Sequence, residues 1–257
     1  MISTKETLSK EQVRQYHQQG WLGPFTLISE GQMAEVRRRI DQEILEPGRI
    51  AQLHEKDYFH NRHLDNRCIY ELLSHPNLVE KAARILGGHL VLWRTNFQLK
   101  PPLAEQDDWD TEIPWHQDCA YYQPSPNVIL SAWVAVDEAT RASGCMRVLP
   151  RSHKKLYPHI RVPGAERFGL FVDPSTFDPN KAVDIELKPG QFIFFNESTL
   201  HSSAANRSSS RRLGITPRIT VPFVEVGNRA EIEVLMLKGE DYMGDYKVVE
   251  PPKEPEL

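Results

Sequence analysis

The sequence is poor in cysteine and has no long apolar run. Only three cysteines occur in 257 residues: Cys68, Cys119 and Cys145. An odd number without a Cys-x-x-Cys pair argues against a disulfide framework and a zinc knuckle. No stretch approaches the ~20 apolar residues of a membrane span, and the polar residues after Met1 contain no apolar signal core. We therefore expect a reduced, soluble, cytoplasmic protein with no membrane partner.

Excess positive charge is also absent. Lysine and arginine total 31 against 35 aspartates and glutamates, so the net charge is -4. Without a long basic run, nucleic acid is not expected as the partner. A small-molecule substrate suits this ordinary globular composition better.

Helical signals fill the first third of the chain. Capping boxes open two helices, at Ser9 with Gln12 and at Ser29 with Gln32. A third helix is expected to begin at Pro76. The second helix has one apolar face with steps of three and four, made by Met33, Val36, Ile40 and Ile44.

Short β-forming runs follow Gly88 and are separated by turn residues. This predicts a mainly β fold, a double-stranded β-helix (a cupin-like jelly roll) with the N-terminal helices packed on one sheet. We expect one domain over 1–257, with a helical part (1–88), a jelly-roll core (89–226) and a C-terminal extension (227–257). The expected strands lie within 89–99, 128–136, 145–149, 182–187, 191–195 and 213–226.

Three residues are candidate metal ligands. On a strand, His116 and Asp118 of Trp115-His116-Gln117-Asp118 would point the same way. A lone His-x-Asp triplet discriminates poorly, but His201 follows a second apolar strand and supplies a third donor. Two histidines and one carboxylate with open positions are typical of non-haem Fe(II) oxygenases.

Arg212 is a candidate clamp for a carboxylate. It begins the strand that follows His201, and a guanidinium one strand from the iron could bind the distal carboxylate of 2-oxoglutarate in a bidentate way. Taken alone, Arg212 reads as a surface residue in a polar turn. With the three candidate ligands in register, the clamp is the favoured interpretation.

These segments resemble a known family. The order of Trp115-His116-Gln117-Asp118, Ser143-Gly144-Cys145-Met146, Lys188-Pro189-Gly190-Gln191, His201 and Arg212 resembles the phytanoyl-CoA dioxygenase superfamily of Fe(II)/2-oxoglutarate oxygenases. Leu92-Trp93-Arg94-Thr95-Asn96-Phe97 and Asn61-Arg62-His63-Leu64-Asp65 resemble its branch of syringomycin-type halogenases. In that branch a small residue replaces the carboxylate ligand and chloride takes its place. Asp118 is a departure that points to hydroxylation.

The resemblance implies further site residues. Gln98, Trp133 and Arg218 would lie beside 2-oxoglutarate, although core packing explains Trp133 equally well. Arg62 and His63 are candidate substrate contacts, with a surface charge cluster as the alternative. The long segment 157–181 is a candidate lid, and Arg167 and Phe171 within it would contact the substrate.

The function expected from all this is a dioxygenase that uses Fe(II), 2-oxoglutarate and O₂ to hydroxylate a small molecule. The substrate would be an amino-acid-like or natural-product intermediate, either free or presented by a carrier protein. Two alternatives stay open: a halogenase-like enzyme or desaturase on the same scaffold, and a cupin-like metal protein without 2-oxoglutarate chemistry.

Overall fold

The computed structural model describes residues 7–46, 59–106, 111–161 and 169–253. Helices gather in the first third, as the capping signatures predict. Ser9 and Ser29 each form the complete capping box, and Gly20 ends the first helix in the left-handed region with φ 81°. The helices are α1 (Lys10–Gln19), α2 (Glu30–Ile40), α3 (Arg67–Leu73) and α4 (Pro76–Leu86), and α2 continues into a π-helical turn at Asp41–Leu45.

Seven strands form the larger sheet. Its order is β1-β9-β4-β11-β2-β12-β13. Pairing within it is antiparallel except between β12 and β13. The strands are β1 (Trp21–Thr26), β2 (Leu90–Lys100), β4 (Leu130–Ala135), β9 (Gln191–Asn196), β11 (Arg212–Thr220), β12 (Glu233–Lys238) and β13 (Lys247–Val248).

A smaller antiparallel sheet of four strands has the order β3-β10-β5-β8. Its strands are β3 (Ile113–His116), β5 (Met146–Val148), β8 (Val183–Ile185) and β10 (His201–Ser203). A separate hairpin joins β6 (His159–Arg161) to β7 (Leu170–Val172), and a short helix, α5 (Cys119–Tyr122), follows β3.

The larger sheet has two different faces. One face is apolar and lies under the helices, where Phe194 and Ile215 pack with Met33 and Leu78 in one buried cluster. We call this the helix face. The other face packs Trp133 and Phe195 against the smaller sheet, with Met146 and Ile185 among its partners, and also bears arginines. We call this the inter-sheet face.

The predicted fold class is confirmed, and the element limits differ in places. The strand β1 was not predicted because Gly23-Pro24 reads as a break, whereas proline is tolerated on an edge strand such as β1. The predicted strand over 213–226 ends at Thr220, since Pro222 cannot donate a ladder hydrogen bond and a turn follows. Beyond residue 226, β12 pairs with β2 and enlarges the sheet. Among the described residues, no helix has the length and apolar character to cross a bilayer.

Candidate metal centre

Three donor side chains converge at the edge of the smaller sheet. His116 ends β3, His201 begins β10, and the two residues are Cα partners across the ladder. Their Nε2 atoms lie 3.4 Å and 4.0 Å from Asp118 Oδ1. One donor atom from each of the three residues lies within 4.8 Å of the others, and all three residues are buried.

The placement of Asp118 corrects one step of the sequence argument. The strand ends at His116, and Asp118 has helical dihedrals (φ -60°, ψ -32°) as the N-cap of α5. Its carboxylate therefore reaches the histidines because the chain turns, and strand alternation is not the reason. The convergence that was predicted is present by a different local route.

The hydrogen bonds of the two imidazoles orient both rings for a cation. Nδ1 of His116 lies 2.8 Å from the Pro114 carbonyl oxygen, and Nδ1 of His201 lies 2.8 Å from the Thr199 carbonyl oxygen. A carbonyl only accepts, so each Nδ1 donates, and the Nε2 of each ring is the atom turned toward Asp118. Burial lowers the pKa of His201 to about 4, which keeps this ring neutral. Two imidazole nitrogens and one carboxylate are a donor set that fits Fe(II).

Arg218 holds the Asp118 carboxylate through the oxygen that does not face the two histidines. Its Nη2 donates to Asp118 Oδ2 at 2.8 Å, and its Nη1 donates to Asn96 Oδ1. Burial alone would raise the pKa of Asp118, but the charge of Arg218 holds that pKa well below its usual range. The Asp118 side chain is thus a carboxylate whose second oxygen is left to face the two histidines.

Glu197 is a second buried acid on Arg218. Its Oε1 lies 3.4 Å from Arg218 Nε and accepts from the Ser131 hydroxyl, while Oε2 is buried with no partner among the described residues. Burial, with the nearby negative charge of Asp118, raises the pKa of Glu197 to about 8. The site therefore holds one firmly ionised carboxylate and one that keeps its proton near neutral pH.

Arg212 is buried, and no carboxylate of the described residues pairs with it. It is 1% exposed, and its Nη1 and Nη2 donate to the carbonyl oxygens of Gln98 (3.2 Å) and Gly144 (2.9 Å). Its Nε has no partner among the described residues, and burial lowers its pKa to about 10. A buried cation without an acid is costly unless a ligand supplies the anion, so Arg212 fits the distal carboxylate of 2-oxoglutarate.

Gln98 and Trp133 lie on the inter-sheet face with Arg212. Gln98 is the Cα partner of Gly214 in β11, and the Arg212 guanidinium lies 5.4 Å from the Trp133 ring centre. A Cβ at Gly214 would approach Trp133 Cζ2 to 2.2 Å, so the glycine makes room for the indole. The structure therefore brings together Arg212, Gln98 and Trp133, three of the four residues expected beside 2-oxoglutarate, and sets the fourth, Arg218, against Asp118.

The segment between the ligands is anchored through Gln117, whose side chain is fully buried. Its amide nitrogen donates to the carbonyl oxygens of Lys155 and Ser198, and its backbone N–H donates to His159 Nε2 at 3.0 Å. A cavity of 360 Å³ lined by Gln117, Tyr157 and His159 opens here, and none of the three metal-ligand candidates lines it. This cavity therefore adjoins the segment that carries His116 and Asp118 without being lined by the ligands themselves.

Three of the four expected substrate contacts lie in the described residues, on two separate segments of the chain. His63 is fully buried, with Nδ1 3.0 Å from Thr95 Oγ1. Thr95 pairs with Pro217 and alternates away from Asn96, which places His63 on the helix face. Arg62 pairs with Asp65 at 3.0 Å, and Phe171 lies in β7. Arg167 lies outside the described residues.

Sequence reasoning missed Glu197, Ser131, Asn96 and Tyr122. An acid between the apolar Phe195 and Leu200 is a usable signal for Glu197, because such a position is expected to be buried. The others have no local signal, since the contacts of Asn96 and Tyr122 with Arg218, and of Ser131 with Glu197, depend on the pairing of distant segments.

A jelly roll with two histidines and one aspartate at the edge of its smaller sheet defines a class, the mononuclear metal oxygenases of cupin-like architecture. The family model described as Phytanoyl-CoA dioxygenase (PhyH) matches residues 16–214. The chain therefore belongs to the phytanoyl-CoA dioxygenase family. This membership confirms the predicted superfamily and enzyme class, a 2-oxoglutarate-dependent dioxygenase, and with them iron and 2-oxoglutarate.

Two curated relatives are similar over different spans. The probable phytanoyl-CoA dioxygenase of Caenorhabditis elegans is 29% identical over 161 residues, covering 59% of this chain and 50% of that protein. The probable alpha-ketoglutarate-dependent hypophosphite dioxygenase of Stutzerimonas stutzeri is 26% identical over 254 residues, covering 89% of this chain and 86% of that protein. The chain thus aligns with nearly the whole of the bacterial relative and with half of the nematode one.

Two solved structures share the fold. The apo non-heme monooxygenase ThoJ has a TM-score of 0.79 at 20% identity, covering 94% of this chain and 88% of that one. CytC3 with Fe(II) and alpha-ketoglutarate has a TM-score of 0.71 at 20% identity, covering 96% and 95%. At this identity the likeness establishes the architecture.

Proposed function

We propose that the chain hydroxylates an unactivated C–H bond of a small molecule in the cytoplasm. The observation that carries this proposal is the Asp118 carboxylate, buried between two histidines and held by Arg218. A carboxylate at this position fills the coordination site that a halide would need, and adds negative charge there. Hydroxylation is therefore favoured over halogenation on this scaffold.

In this proposal His116, Asp118 and His201 hold the iron, and Arg212 holds the distal carboxylate of 2-oxoglutarate. When bound, the iron, 2-oxoglutarate and O₂ supply the oxidation that breaks the C–H bond. Arg218 keeps Asp118 ionised and fixed in orientation, and the Pro114 and Thr199 carbonyls hold the imidazoles in one tautomer. Trp133 and Gln98 line the space around Arg212 and exclude water from it.

The substrate is proposed to be an amino-acid-like or natural-product intermediate, either free or presented by a carrier protein. The bacterial relative is named for hypophosphite and the animal relative for phytanoyl-CoA, so members of the family differ widely in substrate. Arg62, Phe171 and Arg167 stay predicted substrate contacts, and geometry at the site selects the carbon that reacts.

The test begins with 2-oxoglutarate binding. We expect the protein, loaded with Fe(II) and 2-oxoglutarate without O₂, to develop a visible charge-transfer band. Arg212→Gln should weaken 2-oxoglutarate binding at least about 100-fold, because the buried carboxylate would lose its bidentate partner. Arg211→Gln is the matched control, since Arg211 pairs with Asp137 and Asp41 instead.

Two outcomes would contradict the proposal. If the band forms equally well in Arg212→Gln, Arg212 does not bind the distal carboxylate. That outcome would favour a metal protein without 2-oxoglutarate chemistry. Turnover with chloride present, followed by product mass, should show a gain of one oxygen; a chlorinated product would make the chain a halogenase despite Asp118. Parallel assays with free and carrier-bound substrates separate the two modes of presentation.

A further inference from the structure

We propose that Arg94 binds an anionic group of the substrate, so that the substrate is a free small molecule bearing a carboxylate or another oxyanion. This inference rests on the proposed function, because it assumes that the substrate reacts beside the metal centre. It goes further by stating that the substrate is anionic and that Arg94 is the residue that recognises this charge.

Arg94 lies beside the metal centre. It is the Cα partner of Arg218 across β2 and β11, and directly opposed residues in an antiparallel pair share one face of the sheet. Arg218 in turn donates to Asp118 at 2.8 Å. A register shift after Arg218 leaves Trp93 as an extra residue in β2. The bulge brings Trp93 and Arg94 against the same ring, that of Tyr122.

Arg94 and Arg218 differ in their partners. Both guanidinium groups pack over Tyr122, at 5.1 Å and 4.7 Å from its ring centre. Arg218 also donates hydrogen bonds to Asn96 and Asp118, and its Nε lies 3.4 Å from Glu197 Oε1. Arg94 has no hydrogen bond or ion pair with the described residues, and its Nε is buried without a partner. Arg94 is thus a cation held in place by an aromatic ring with its donors still available.

Among the described residues, no anion near the centre forms an ion pair with Arg94. Asp118 and Glu197 are the two carboxylates here, and Arg218 contacts both. Glu197 interacts with Arg94 through charge alone, without a hydrogen bond. Burial raises the pKa of Glu197 to about 8, so this acid adds little negative charge near neutral pH. Arg212 is assigned to 2-oxoglutarate. Of the three arginines of the inter-sheet face, only Arg94 then lacks an anion.

The guanidinium chemistry defines the group that Arg94 would bind. Its planar fork matches a carboxylate or a phosphorus oxyanion, and stacking on Tyr122 reduces the entropy lost on binding. A substrate joined to a carrier through its carboxylate would lack this group. The proposal therefore favours a free substrate over a carrier-bound one.

The experiment titrates anions into the full chain loaded with Fe(II) and 2-oxoglutarate in the absence of O₂. The probes are hypophosphite and butanoate, with butanamide as the neutral control. One readout is the charge-transfer band. The second is tryptophan fluorescence of the metal-free protein, since Trp93 lies 5.3 Å from Tyr122. We expect saturable binding of at least one anion and none of the amide, and the preferred probe identifies the oxyanion class.

Variants then test the residue. Arg94→Gln should weaken anion binding at least tenfold while 2-oxoglutarate binds as before, and Arg94→Lys should recover part of the affinity. Arg14→Gln on the exposed surface of α1 controls for the loss of one positive charge. If Arg94→Gln does not fold, as judged by its circular dichroism, Arg94→Lys is compared with wild type in its place.

The proposal is overturned if wild type binds neither anion, if it binds the amide equally, or if Arg94→Gln binds anions like wild type. A loss of 2-oxoglutarate binding in Arg94→Gln would also overturn it, because Arg94 would then serve the cofactor. A wild type that forms no band with Fe(II) and 2-oxoglutarate contradicts the proposed function instead. The fluorescence titration of the metal-free protein still tests Arg94 in that case.

Discussion

The two faces of the seven-stranded sheet are built from the same strands and carry opposite chemistry. On the helix face, β11 contributes Leu213, Ile215 and Ile219 to one apolar cluster. On the inter-sheet face, the same strand contributes Arg212 and Arg218, each no more than 3% exposed. Because its side chains alternate, this one strand contributes to stability on the helix face and to ligand binding on the inter-sheet face. The desolvation free energy that the buried arginines cost is offset by apolar burial on the other face of the sheet.

The largest expected effect on stability comes from creating a cavity in the apolar cluster of the helix face. Phe194 is fully buried beside Phe192 at 5.2 Å between ring centres. Phe194→Ala should lower the free energy of unfolding by about 4 kcal/mol, because the cavity cannot close. Urea unfolding measures this loss. Phe223→Ala is the control, since Phe223 is 45% exposed and should cost about 0.5 kcal/mol or less. Similar losses in the two variants would erase the contrast between core and surface.

A smaller, pH-dependent effect is expected on the inter-sheet face. The pKa of Glu197 is raised from 4.5 to about 8. The unfolded chain releases this proton above pH 4.5 while the folded state keeps it until about pH 8. Stability should therefore fall as pH rises between these values, and it should level off above them.

Glu197→Gln isolates this contribution, because the amide does not titrate. In the metal-free protein, wild type should lose about 3 kcal/mol more than the variant between pH 5 and pH 8. Urea unfolding at several pH values gives both slopes. Parallel slopes would mean that Glu197 titrates normally in the folded state.

The smallest expected effect is a gain in the free energy of unfolding. Arg212→Met keeps much of the side-chain volume and removes a buried cation that has no described acid partner. The free energy of unfolding of the ligand-free protein should rise by about 1 kcal/mol, as replacements of buried charges by apolar groups often do. Chemical denaturation without 2-oxoglutarate measures it. A loss of stability would show that the carbonyl partners of Arg212 already compensate its charge.

The helix face was largely predictable from sequence, because caps and apolar periodicity are local. Ser9 and Ser29 cap their helices as expected, and Met33, Ile40 and Ile44 are buried as expected. The donors could also be chosen, because His116 and Asp118 form a His-x-Asp motif and His201 follows a strand-like run. Their geometry could not, since Asp118 lies in a helical N-cap that the strand pattern does not indicate.

The inter-sheet face was predictable only in part. Arg212 and Arg218 share a face by simple alternation, as expected. The contacts of Arg218 with Asn96, Ser131-bound Glu197 and Tyr122 arise from three other segments whose registers only the assembled sheet defines. The bulge at Trp93 has no strong sequence signal, and it sets the position of Arg94.

The Cα pairing of His201 with His116 has a consequence for how the protein folds. These residues are distant in the chain, and His201 also pairs with Val148 on its other side. The donors can meet only after this high-contact-order ladder has closed. A cation could therefore bind only after the ladder has formed. It would stabilise the native state by mass action and would not help to nucleate folding.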